Sequence, residues 1–185
     1  MYGITDLKTN VKIELDGEPY TVVDYQHSKM GRGGAVMRTK LRNLRTGATL
    51  QKTFQGNDKI TPASLSTHQG QYLYADGDSF VFMNTSNYEQ FTIASSLLGD
   101  SAKFLKEGLE VDLLDFRGKV IAAELPIKVE YEVTDTDPGM KGDTVSGGSK
   151  PATLESGGVV TVPLFIQIGD RIRVDTRTGE YLERA

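Results

Sequence analysis

A rhythm of period two constrains this chain most. Lys12 to Leu15 alternates, Tyr20 to Tyr25 is strongly β-prone, and Ala35 to Asn43 alternates again. In an extended chain successive side chains point to opposite faces, so such runs describe half-buried strands. Turn residues cut the runs apart. Asp16-Gly17 and Pro19 separate the first pair as a hairpin, and Arg45-Thr46-Gly47 returns the chain into Ala48 to Phe54. Residues 26–34 join two of these strands and are expected to form a hairpin tip. The period places Arg38, Lys40 and Arg42 on one face of the strand that follows it.

The rhythm continues to the C-terminus. Gly56-Asn57-Asp58 and Pro62 break the pattern, and a first boundary is expected near residue 64. Gln71 to Tyr74, Ser79 to Met83, Gln90 to Ile93, Gly108 to Leu114 and Val120 to Leu125 read as short strands, with a helical turn over Asp100 to Lys106. Tyr72, Tyr74, Phe80 and Phe82 read as core alternation. Pro126 marks the next joint. Val129 to Val133 is a strand, and Asp135 to Glu155 a long loop. Val159 to Gln167 is a strand broken by Pro163, followed by Arg171 to Val174 and Glu180 to Leu182. Short strands at about ten-residue spacing predict small barrels or sandwiches, and the last unit suits a minimal five-stranded barrel. The expected fold class is all-β, in three units over 1–64, 65–128 and 129–185.

Composition supports several small cores. Of 185 residues 38% are hydrophobic, low for one large core. There is no cysteine, which removes disulfides and thiolate metal sites. No long apolar run or signal pattern is present, so a soluble cytoplasmic protein without a membrane partner is expected. Asn84-Thr85-Ser86 is a glycosylation sequon relevant only to a secreted protein. Charge is uneven. Residues 1–64 carry ten basic and six acidic side chains, whereas residues 65–185 carry 11 and 19. A basic head on an acidic body can approach phosphates locally.

No catalytic constellation emerges. His27 and His68 lack metal-ligand spacing or a paired carboxylate, and His27 reads as a hairpin-base residue. Asp135 and Asp137, beside Pro138, read as turn residues before an acid/base pair. Gly142 to Lys150 has the glycines of a phosphate loop but not its Gly-Lys step, and Pro151 precludes the helix such a loop feeds. The glycine-flanked Arg32 is the stronger candidate. Glycine lets the backbone turn sharply and pass close to another chain, while a guanidinium presents a planar fork to phosphate. Lys29, Met30, Gly31, Arg32, Gly33 and Gly34 would make a thin cationic finger. With Arg38, Lys40 and Arg42 behind it, the finger suits an anionic partner such as RNA.

Three stretches carry a family resemblance. KMGRGG from Lys29, followed by KLRNLRTGATLQKTF (Lys40 to Phe54), resembles the first domain of bacterial elongation factor P. GDTVSGGSKPATLESGGVVTVPLFIQIGD (Gly142 to Asp170) resembles its most diagnostic segment, with Lys150, Ala152, Gly157, Val162, Pro163, Ile166 and Gly169 at the signature spacing. VDTRTGEY (Val174 to Tyr181) resembles its C-terminal end. The resemblance implies an SH3-like (KOW-type) barrel followed by two OB-fold barrels, L-shaped and tRNA-like. It implies a non-enzymatic factor, acting as a monomer between the ribosomal P and E sites beside peptidyl-tRNA, that relieves stalling at consecutive prolines. Gly142, Asp143 and Thr144 would approach the exit-site mRNA codon. Many relatives carry a modified lysine at the tip, whereas this chain has Arg32. Some arginine-bearing relatives are rhamnosylated there, so Arg32 is a candidate site for rhamnosylation by a modifying enzyme, with another modification or a bare arginine as the alternatives; no metal or other cofactor is expected. Two alternatives share the pattern, a close paralogue of the factor and a general RNA-binding or assembly protein. The latter would expose aromatic rings on an OB face for base stacking. A hydrolase using Asp135, Asp137 or Asp143 lacks partner residues.

Overall fold

The structure, a computed structural model, describes residues 1–31, 34–139 and 148–185. It holds three five-stranded antiparallel sheets. The first is built from β1 (Lys12–Leu15), β2 (Glu18–Met30), β3 (Gly34–Asn43), β4 (Thr49–Gln55) and β5 (Thr61–Pro62), in the order β4-β3-β2-β1-β5. The second comprises β6 (Leu65–Asp76), β7 (Ser79–Asn84), β8 (Gln90–Ala94), β9 (Glu110–Phe116) and β10 (Lys119–Glu124), in the order β10-β9-β6-β7-β8. The third comprises β11 (Lys128–Thr136), β12 (Ser149–Leu154), β13 (Val159–Pro163), β14 (Arg171–Asp175) and β15 (Glu180–Arg184), in the order β13-β12-β11-β14-β15. The all-β, three-sheet expectation is met.

By compactness the chain divides into two units, residues 1–68 with 113–122, and residues 69–112 with 123–185. The first unit buries Ile4, Leu7, Ile13, Val22, Met37, Leu41, Phe54 and Ile60 as one cluster. The alternation of β3 accounts for it: Met37, Thr39, Leu41 and Asn43 face inward, and the intervening residues face outward. Thr39 satisfies its buried hydroxyl on the Lys52 carbonyl at 2.8 Å. Arg117, in the β9–β10 turn, pairs with Glu14 of β1 at 2.8 Å.

The second unit has a continuous network where residues 103–106 meet the third sheet. The Tyr131 hydroxyl donates to the Phe104 carbonyl at 2.6 Å, and the Ser156 hydroxyl to the Lys103 carbonyl at 2.8 Å. Lys106 Nζ donates to the Glu130 carbonyl at 2.6 Å and to Glu155 Oε1 at 3.1 Å, and lies 5.1 Å from the centre of the Tyr131 ring. Gly158 lies so close that a Cβ there would meet the Lys103 carbonyl oxygen at 2.8 Å. The Thr176 hydroxyl donates to the Pro126 carbonyl at 2.6 Å, which fastens the chain just before β11. Among the described residues no buried side-chain polar atom is left without a partner, so the low dielectric strengthens this joint rather than penalising it.

Several expectations need correction. The long loop over 135–155 contains β12, a central strand. Pro151 disguised it, because proline cannot donate to a ladder. The Pro151 carbonyl accepts the Thr136 hydroxyl, just beyond the last β11–β12 pair, Thr136↔Ala152, so the missing N–H is not needed there. The helical segment is longer than Asp100 to Lys106 and starts earlier, as α1 (Ser95–Leu98) running into a 3-10 stretch Gly99–Phe104. A bulge between Tyr72 and Tyr74 breaks the core alternation: Tyr72 and Phe82 are buried, but Tyr74 is 53% exposed.

Candidate nucleic-acid interface

The finger expected over 26–34 is mostly ladder. β2 and β3 pair continuously from Tyr20↔Asn43 to Met30↔Gly34, so only residues 31–33 lie beyond the last pair. Gly34 closes the ladder at φ +81°, a conformation that glycine takes without strain. Gly31 is exposed, with open space around it. Arg32 and Gly33, the centre of the predicted tip, fall outside the described residues, as do Gly142, Asp143 and Thr144.

A bulge between Val22 and Asp24 sets what each face of the hairpin carries. The extra residue, Val23, flips the alternation of β2. Beyond it, Asp24, Gln26 and Ser28 share a face with Lys40, Arg38 and Val36, while Tyr25, His27 and Lys29 share the other with Thr39, Met37 and Ala35. The predicted cations therefore divide. Arg38, Lys40 and Arg42 lie on the outer face of β3, as the period required, and Lys29 lies on the opposite one. Arg38, Lys40 and Lys29 are exposed, and among the described residues their side chains enter no ion pair or hydrogen bond. Asp24 stands across from Lys40 in the ladder, but its carboxylate accepts the Tyr25 N–H at 2.8 Å.

The other candidates are spread over the chain. His27 is exposed within the ladder opposite Met37, well above the hairpin base where it was expected. His68 lies 3.9 Å from Asp115. Asp135 and Asp137 are exposed, and Asp137 contributes its backbone carbonyl to the Lys150 ammonium. Lys150 is buried, so it ties β12 to the residues that follow β11 rather than serving a phosphate. Gly139 on the same stem packs so tightly that a Cβ would meet the Leu164 carbonyl oxygen at 2.5 Å. Asn84 of the sequon is buried and accepts the Ser86 N–H. Among the described residues no cluster of three or more His, Asp or Glu could hold a metal ion, and no helix is long and apolar enough to cross a membrane.

Two shifted carboxyl groups lie away from the hairpin. At the joint, burial pushes the Glu155 carboxyl up, but hydrogen bonds from the Glu132 N–H and Lys106, with the charges of Lys106 and Arg171, outweigh it and hold the group below the ordinary range. In the C-terminal turn, the Arg177 side chain hydrogen-bonds Asp175 and lowers its carboxyl to about 2. The sequence pattern gave no sign that Lys106 and Tyr131 meet at a joint, nor that Gly158, though inside a visible motif, packs against Lys103. Thr176 and Gly157, by contrast, sat inside motifs whose spacing was visible.

A sheet with a long cationic hairpin, followed by two further five-stranded sheets, defines a modular all-β protein built from KOW-like and OB-type domains. The domain families match in that order: "Elongation factor P (EF-P) KOW-like domain" over residues 4–60, "Elongation factor P (EF-P) OB domain" over 65–123 and "Elongation factor P, C-terminal" over 129–184. Elongation factor P of Pelotomaculum thermopropionicum is 51% identical over 184 residues, and that of Syntrophomonas wolfei 50%. That of Moorella thermoacetica is 48% identical over 185, and each alignment covers 100% of both chains. The chain belongs to the bacterial elongation factor P family and is a translation elongation factor.

Proposed function

We propose that this factor binds the cytoplasmic ribosome between the P and E sites, beside peptidyl-tRNA, and promotes peptide-bond formation where consecutive prolines stall it. The observation that carries this reading is the long β2–β3 hairpin, whose outer face presents the side chains of Arg38 and Lys40 without partners among the described residues. Those cations suit the phosphates of a tRNA acceptor arm. The tip residues 31–33 would continue the hairpin toward the reacting ends, with Arg32 as the contact and as the site of rhamnosylation. Gly142, Asp143 and Thr144 would meet the exit-site codon. The factor acts as a monomer and supplies no acid, base or nucleophile. Holding two reacting groups in alignment can itself remove several kcal/mol from a barrier.

A general RNA-binding module would expose a row of aromatic rings on one OB face, and the scatter of the exposed rings favours the ribosomal reading instead. Tyr74, Tyr88 and Phe165 are exposed, but on β6, the β7–β8 turn and the β13–β14 connection, not as a row on one face. The test is diproline synthesis in a reconstituted translation system. Arg32→Ala is expected to keep the circular dichroism and melting curve of the parent and to lower the Pro-Pro rate at least about tenfold, equal to ~1.4 kcal/mol. Undiminished synthesis by that variant would refute the role of the tip.

A further inference from the structure

The three domains share one turn. Asn43-Leu44-Arg45-Thr46-Gly47, Asn84-Thr85-Ser86-Asn87-Tyr88 and Asp175-Thr176-Arg177-Thr178-Gly179 each open on a buried Asn or Asp. In each, the side-chain Oδ1 accepts the N–H two residues on, from Arg45 at 2.8 Å, Ser86 at 2.8 Å and Arg177 at 2.9 Å. In each, the opening carbonyl accepts the N–H four residues on, from Gly47 at 2.9 Å, Tyr88 at 2.8 Å and Gly179 at 2.8 Å. The fifth residue has positive φ every time: 76° at Gly47, 75° at Gly179 and 59° at Tyr88. Two of the turns use glycine, as that backbone favours. The middle one uses a bulky aromatic residue, for which the conformation is strained.

The strain has no return inside the molecule. Tyr88 is 73% exposed, and among the described residues its hydroxyl has no hydrogen-bond partner and its ring no aromatic or cationic neighbour. Of the other non-glycine residues at positive φ, Asn10 and Asp16 are types that tolerate it, and Arg117 pairs with Glu14. The surroundings indicate what the ring would meet. The sister turns carry Arg45 and Arg177 at their third position, where this one has Ser86, and Glu89 follows Tyr88. Residues 65–128 hold nine carboxylates against five basic side chains. An aromatic face beside a carboxylate, on an acidic domain and without a cation in the turn, repels phosphate and attracts arginine or lysine.

We propose that Tyr88 and Glu89 form a contact surface for a basic protein segment of the ribosome, with the ring stacking on a guanidinium or ammonium and the carboxylate pairing with it. This rests on the ribosomal reading above. The strained turn pre-positions the ring, which is how tyrosine serves as an interface anchor at low entropic cost.

The test uses the full chain and purified 70S ribosomes carrying P-site tRNA. Tyr88→Gly should raise the melting temperature by about 2–4 °C through relief of strain and weaken ribosome binding about tenfold; Tyr88→Phe should keep the parent's affinity. A photoreactive phenylalanine analogue in place of Tyr88 should crosslink to a ribosomal protein at a lysine- or arginine-rich segment. Parent protein that fails to bind ribosomes would overturn the ribosomal reading and the proposal with it. Normal binding by both the parent and Tyr88→Gly would overturn the proposal alone, and a crosslink to RNA would overturn the choice of partner.

Discussion

The hairpin of the first sheet and the joint around residues 103–106 solve opposite problems with the same chemistry. At the joint, hydroxyl, ammonium, carboxylate and carbonyl groups all find partners within the chain, from Tyr131 on Phe104 to Lys106 on Glu130 and Glu155. On the outer face of the hairpin, Arg38 and Lys40 find none among the described residues. A group satisfied internally contributes to stability and is silent toward partners, whereas a group left in water contributes little to stability and remains available to phosphate. Stability therefore resides at the joint, and readiness to bind a partner on the hairpin. Mutations at the joint should move the melting curve, and mutations on the hairpin should move activity.

Tyr131→Phe should sharpen the contrast most. It leaves the buried Phe104 carbonyl without its donor, at a cost of about 1–3 kcal/mol in urea unfolding, whereas Arg38→Gln should stay within about 0.5 kcal/mol. The pH dependence follows in sign. Burial, reinforced by the Glu155 charge, pushes the Tyr131 phenol well above its ordinary 10.0. The unfolded chain then ionises first, so this contribution is present below about pH 10 and is lost as pH rises further. Tyr131→Phe should unfold with a shallower alkaline limb than the parent. Equal stability of Tyr131→Phe and Arg38→Gln would break the comparison.

A smaller effect is expected at the C-terminal turn. The Asp175 carboxyl is held at about 2, below its unfolded value of 3.8. Its contribution is therefore complete above about pH 4 and is lost as pH falls toward 2. Asp175→Asn makes this turn like its sister turns at Asn43 and Asn84, with the Oδ1 acceptor kept and the charge opposite Arg177 removed. Acid melts should show a reduced loss of stability between about pH 4 and 2. An unchanged acid profile would mean that the Arg177 pair contributes nothing measurable, as at many exposed pairs.

The sequence showed the period-two strands, the turn glycines and the face shared by Arg38, Lys40 and Arg42, because these follow from local geometry. It did not show features that depend on a neighbour. The bulge at Val23 reassigns Tyr25, His27 and Lys29 to the other face, and one inserted residue leaves no trace in composition. β12 was hidden because Pro151 is tolerated only at the margin of its pairing with β11. The close approach at Gly158 exists only because Lys103, far away in sequence, lies against it. The motif containing Gly157 and Gly158 was legible as a motif; its purpose as a packing contact was not.

In the proposed role the hairpin aligns reacting groups without supplying a proton-transfer group of its own. The most direct measurement is the single-turnover rate of Pro-Pro bond formation with and without saturating protein, taken between about pH 6 and 8.5, the range in which a histidine could report itself. If the hairpin only aligns, the ratio of the two rates stays constant while each rate varies with pH. A ratio that rises or falls with pH, and loses that dependence in His27→Gln, would contradict it.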